Sequence, residues 1–92
     1  MPYLRTMERI YFYKVVESLK NHAISSPGEL NYLFTEIINQ YFMNHTKNYH
    51  TINDIVGALE SCKLEFYRRV AGPYEEKKIA ENGEVYDQEA LL

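Results

Sequence analysis

A chain of 92 residues has room for one small domain, and its 13 acidic and 10 basic side chains leave a net charge of −3. That balance argues against a general nucleic-acid coater, which needs a basic face to release counterions from phosphates. The single cysteine, Cys62, excludes an internal disulfide, so a core that hides roughly 60–65% of the unfolded surface has oligomerisation as its available supplement.

The opening MPYLRTMERI has neither the continuous apolar run nor the small-residue cleavage site of a secretory leader. The apolar stretches fall far short of the roughly 20 residues of a membrane span, and the expectation is a cytoplasmic protein without membrane contact. Between Met7 and Ala23, the residues Phe12, Val15, Val16, Leu19 and Ala23 recur at three- and four-residue spacing. This predicts a helix over 7–23, with Thr6 as its N-cap. Tyr11 and Tyr13 flank the stripe and are candidate interface residues, because tyrosine combines contact area with a polar tip.

The next helix opens on SPGE. Ser26 is placed as N-cap, Pro27 at the first helical position and Glu29 where its carboxylate can return to the cap amide. Leu30, Leu33, Phe34, Ile37, Ile38 and Tyr41 then form one stripe, and the polar NHTKN at 44–48 ends it, predicting a helix over 27–43. A third helix is expected over 52–71, capped near Thr51. Its stripe is Ile52, Ile55, Val56, Leu59, Cys62, Phe66 and Val70, with Cys62 read as a small buried hydrophobe. Gly57, Ser61 and Leu64 lie off that stripe and predict close approach of another backbone. The plainer alternative is a tolerated glycine. A short helix over 73–81 follows, stopped by the Asn-Gly at 82–83, and the tail EVYDQEALL has no clear period.

The segment CKLEFYRRVAGPYEEKK carries the most pointed functional signal. Arg68 and Arg69 sit where a helix end is negative, with Glu65 three and four residues before them; Gly72 reads as the stop and Pro73 as the next start. Every charge there has a structural reason. The functional alternative makes Tyr67, Arg68, Arg69 and Tyr74 a ligand site, with guanidiniums for a phosphate or carboxylate and rings for a base. No glycine-rich phosphate loop accompanies them.

Catalytic chemistry is missing from the pattern. His22, His45 and His50 have no metal-ligand spacing and read as solvated; no CxxC, H-E-x-x-H or serine triad is present. No catalytic residue, metal ligand or cofactor is nominated.

The start MPY, the phrase GELNYLFTEI at 28–37 and above all LESCKLEFYRRVAGPYEEKKIAENGEVY at 59–86 resemble a small uncharacterised helical protein family of tailed bacteriophages and bacteria. The resemblance covers most of the chain and is one of local phrases, with no catalytic motif. It implies a short stand-alone helical protein of viral or bacterial origin, in the first case acting in the host cytoplasm.

Together these features predict an all-α domain over 1–92: a three-helix antiparallel bundle with a short C-terminal helix and a flexible tail. Leu33, Ile37, Leu59 and Phe66 are expected in its interior. The expected role is a non-enzymatic binding or interaction protein, homodimeric or larger; a phage origin, as the resemblance implies, would make its partner a host protein. The alternative is a nucleotide- or small-anion-sequestering protein with its pocket at a subunit interface.

Overall fold

The computed structural model describes residues 4–91, and the chain is all-α, with no strand among those residues. It divides into two compact units, Met1–Ile55 and Val56–Leu92.

The first unit begins with a helix in two pieces, α1 (Thr6–Arg9) and α2 (Tyr13–Lys20), joined by a 3-10 turn at Ile10–Phe12. The run Ile10-Tyr11-Phe12-Tyr13 consists of weak helix formers, and the turn tightens there while Tyr11 and Phe12 pack edge to face, 5.0 Å between centroids. The N-cap is Arg5, whose amide donates to Glu8 Oε1 at 3.1 Å; Thr6, the expected cap, is the first helical residue. The helix ends at Lys20, three residues before the expected Ala23. There Nδ1 of His22 lies 2.6 Å from the Ser18 carbonyl oxygen, which requires the proton on Nδ1 and satisfies one open helix-end acceptor.

Helix α3 (Pro27–Met43) has the predicted bounds. Ser26 is extended, with φ −144° and ψ 158°, and its hydroxyl oxygen accepts from the Glu29 amide at 3.1 Å. Glu29 Oε1 accepts from the Ser25 amide at 2.5 Å, one residue further back than the expected capping box. At the far end His45 repeats the device of His22: Nδ1 sits 2.7 Å from the Tyr41 carbonyl, and the ring stacks on Tyr41 at 3.9 Å. Helix α4 (Tyr49–Phe66) starts one turn before the expected position. Asn48 starts it, its Oδ1 accepting from the Thr51 amide at 3.0 Å, so Thr51 lies inside the helix.

In the second unit α4 does not stop at Gly72. A π turn, Tyr67–Ala71, leads directly into α5 (Gly72–Asn82). Gly72 is helical, with φ −59° and ψ −54°, and its amide donates to the Tyr67 carbonyl five residues back. Pro73 supplies the cause. It has no amide proton for the Arg69 carbonyl, and its ring would collide with that oxygen in a regular α turn. Widening the turn relieves both problems without breaking the helix. The predicted boundary at Gly72–Pro73 is therefore a change of helical pitch. The end of α5 is as read: Gly83 has φ +92°, a conformation that favours glycine, and its amide donates to Ile79. A 3-10 turn, Gln88–Ala90, follows in the tail.

The predicted stripes exist, and their residues are largely exposed. Among the described residues no large hydrophobic side chain is buried; the buried residue is Thr51. Leu33, Ile38, Phe42 and Ile55 are half-buried, whereas Ile37 and Phe66 are each 60% exposed and Leu59 is 43% exposed. Cys62 is exposed as well, not the buried hydrophobe expected. The contacts between elements join chiefly sequence neighbours, α5 with the π turn and α1 and α2 with the 3-10 turn between them. The second unit shows why: it is one helical run followed by a short turn, with no second long element to lie on its stripe.

Candidate functional site

The π turn gathers the charged residues singled out in the sequence. Glu65, in the last turn of α4, receives both arginines: Arg68 Nη2 lies 2.8 Å from Oε2, and Arg69 Nε lies 2.9 Å from Oε1. Each carboxylate oxygen thus takes one guanidinium, in the acid-before-base order that a helix surface favours. Both cations remain largely exposed, at 71% and 64%, while the Glu65 side chain is 25% exposed beneath them. The guanidiniums retain further N–H donors, so the cluster can still meet a carboxylate or phosphate, in competition with Glu65.

Tyr67 belongs to the π turn and Tyr74 to the first turn of α5, and both are more than half exposed. Neither ring stacks on a guanidinium among the described residues. Tyr74 instead has Lys78 Nζ 5.5 Å from its centroid, and Lys78 also pairs with Glu81 at 3.3 Å. The structure brings Arg68 and Arg69 together on one carboxylate and leaves the two aromatic members of the expected site open.

The candidate interface residues are open too. A Cβ added at Gly57 would meet nothing within 4 Å. Leu64 is exposed and Ser61 half-buried. Tyr11 is 86% exposed despite its contact with Phe12, and Tyr13 is exposed beside it.

A feature not anticipated from the sequence is an open cleft of about 590 Å³ at the corner between α2 and α3, lined by Leu19, His22, Ile24, Gly28, Tyr32 and Leu33 among others. Its residues come from two helices and their linker, so no periodic signal marks it. Ile24, an apolar residue between two polar turns, is the sole local hint. The histidines cap helix ends, or, for His50, face Asp54 one turn on at 3.4 Å. Among the described residues no group of three His, Cys, Asp or Glu side chains is placed to hold a metal ion, and no helix is long and apolar enough to cross a membrane.

The family model described as Domain of unknown function (DUF6899) matches residues 1–85. No curated protein and no solved structure matches the chain. The chain belongs to the DUF6899 family, which bears out the expected resemblance to an uncharacterised family.

Proposed function

We propose that this DUF6899 protein is a small non-enzymatic, homo-oligomeric binding protein, encoded by a bacteriophage and acting on a host protein in the host cytoplasm. The observation that carries the reading is the exposure of the stripes on α3 and α4, at Ile37, Leu59 and Phe66 above all. A helix with a wide apolar face is stable when something covers that face, and exposed apolar patches of this extent mark interaction surfaces. The antiparallel three-helix core expected from the stripes closes, in this reading, between copies. Tyr11, Tyr13 and the Gly57–Ser61–Leu64 flank supply surface for a further partner, the glycine allowing a backbone to come close. The test is light scattering on the purified protein, followed by capture from a bacterial lysate with the tagged chain. A multiple of 10.9 kDa and a retained host protein are expected; a monomer that retains nothing overturns the reading.

A second reading is favoured by the π turn, a feature that recurs at functional sites. It places Tyr67, Arg68 and Arg69 on a widened turn, with Tyr74 just beyond. In this reading a subunit interface closes over them into a pocket for a nucleotide or small anion. The guanidiniums take the phosphate and the exposed rings the base. A thermal-shift screen with nucleotides tests it, because a ligand bound to the folded state stabilises by mass action. A shift lost in Arg68→Ala supports the site, and no shift with any nucleotide removes it.

A further inference from the structure

The cleft at the corner of α2 and α3 lies wholly within the first unit. Its volume of about 590 Å³ falls in the range of small-molecule sites, roughly 300–1,000 Å³. The walls are mainly apolar, with Leu19 from α2, Ile24 from the linker, and Tyr32 and Leu33 from α3. The polar groups are few and of one kind. His22 Nδ1 donates to the Ser18 carbonyl oxygen at 2.6 Å, so the neutral ring offers its other nitrogen, Nε2, as an acceptor. Glu29 Oε1 accepts from the Ser25 amide at 2.5 Å. That bond fixes the carboxylate at the first turn of α3 and leaves Oε2 able to accept another donor. Among the described residues no lysine or arginine lines the cleft, and none pairs with Glu29.

From this we propose that the cleft binds a small apolar amine, a protonated primary amine carried on an aromatic body. The proposal goes beyond the binding-protein reading and does not depend on self-association. Charge selects the cation. A carboxylate without a cationic partner, beside an imidazole nitrogen that accepts, complements an ammonium group with its three N–H donors and repels an anion. The helix ends do not reverse that sign. The start of α3 is partly positive and the end of α2 partly negative, about half a charge each, and the two meet at the same corner. The full charge of Glu29 therefore decides. Shape and polarity select the body. Leu19, Ile24 and Leu33 offer hydrocarbon surface, and the Tyr32 ring, 62% exposed, offers a face on which an aromatic ring stacks or an ammonium rests. This ligand class is the opposite in charge of the nucleotide considered for Arg68 and Arg69, which lie in the other unit.

The experiment uses the full chain. The protein has no tryptophan, so the fluorescence anisotropy of tryptamine, excited where tyrosine does not absorb, reports binding directly. Tryptamine is compared with tryptophol, its neutral analogue, and with indolepropionate, an anionic one. Tryptamine is expected to bind about tenfold or more tighter than tryptophol, and indolepropionate not to bind. Glu29→Gln keeps an acceptor for the Ser25 amide and is expected to erase the preference for tryptamine. Gly28→Leu tests the place. A Cβ at Gly28 stands 3.8 Å from Ser26 Oγ, an ordinary contact, and the longer side chain fills the cleft. It is expected to abolish tryptamine binding without lowering the melting temperature. In the wild type, the amide chemical shifts that tryptamine moves are expected to cluster between Ser18 and Leu33. No binding of tryptamine at millimolar concentration, equal affinity for the three probes, or a preference that survives Glu29→Gln overturns the proposal. So does binding that survives Gly28→Leu, or shift changes confined to the second unit. Should either variant fail to fold, the wild-type comparison of the three probes and the shift map decide.

Discussion

The amide of Gly72 donates its hydrogen bond to the carbonyl of Tyr67, five residues back, and a Cβ on Gly72 would stand 3.1 Å from that same oxygen. This one contact defines the π turn. It exists because the next residue is Pro73, which can neither donate to Arg69 nor tolerate its carbonyl in an α turn. Three consequences follow for Arg68 and Arg69: they sit on a helix that continues, their carboxylate partner lies just before the widened turn, and their spacing to Tyr74 differs from that of a regular helix.

Pro73→Ala restores the missing donor and removes the ring, so the turn is expected to close to α geometry. The helix should gain roughly 1–3 kcal/mol, within the range proline costs inside helices. Chemical denaturation measures the gain, and amide chemical shifts at Tyr67 to Gly72 report the change of pitch. If the second functional reading holds, the same variant loses ligand affinity although it is more stable.

Glu65→Gln removes the charge that both guanidiniums face while preserving the side-chain shape. A modest fall in the denaturation midpoint is expected, one that shrinks as salt is added, because surface ion pairs are screened. A salt-independent loss would assign the effect to packing.

Ser26→Ala removes the acceptor of the Glu29 amide at the start of α3. The expected cost is about 1 kcal/mol. Thermal unfolding of the variant beside Ser26→Asn, which keeps an acceptor, checks that the loss is one of capping.

Gly57→Ala adds a methyl group to open space. In a helix this change stabilises by about 0.5–1 kcal/mol. Gly57 lies away from the Val56–Leu59–Phe66 face, so the oligomer mass should not change. A higher melting temperature with unchanged mass is the expected pair of results, together with weaker capture of a host partner at the Gly57–Ser61–Leu64 flank.

The sequence made the helices legible wherever a local cap or stripe was strong. α3 has the bounds that SPGE and the polar NHTKN predict, because both signals act within one turn. The first helix was harder: its stripe begins at Phe12, and periodicity does not register the tightening of the turn at Ile10–Phe12. Asn48 was hidden in a polar run and read as linker, although it caps α4. Gly-Pro at 72–73 carries two opposed signals, a stop and a start, and the compromise between them, a π turn, has no periodic signature. The stripes are present as apolar faces on the helices; period identifies such a face and says nothing about which chain covers it. For the candidate site, the ion pairs from Glu65 to Arg68 and Arg69 followed from spacing. The α2–α3 cleft, built from residues on both sides of a linker, did not.

The central claim is that the apolar faces of α3 and α4 are covered by other copies of the chain, so that folding and assembly are coupled. Unfolding in denaturant, followed by helical circular dichroism over about a hundredfold range of protein concentration, tests this most directly. The account predicts a midpoint that rises steadily with concentration. A midpoint that stays fixed across the range, for a cooperatively folded species of 10.9 kDa, would contradict it.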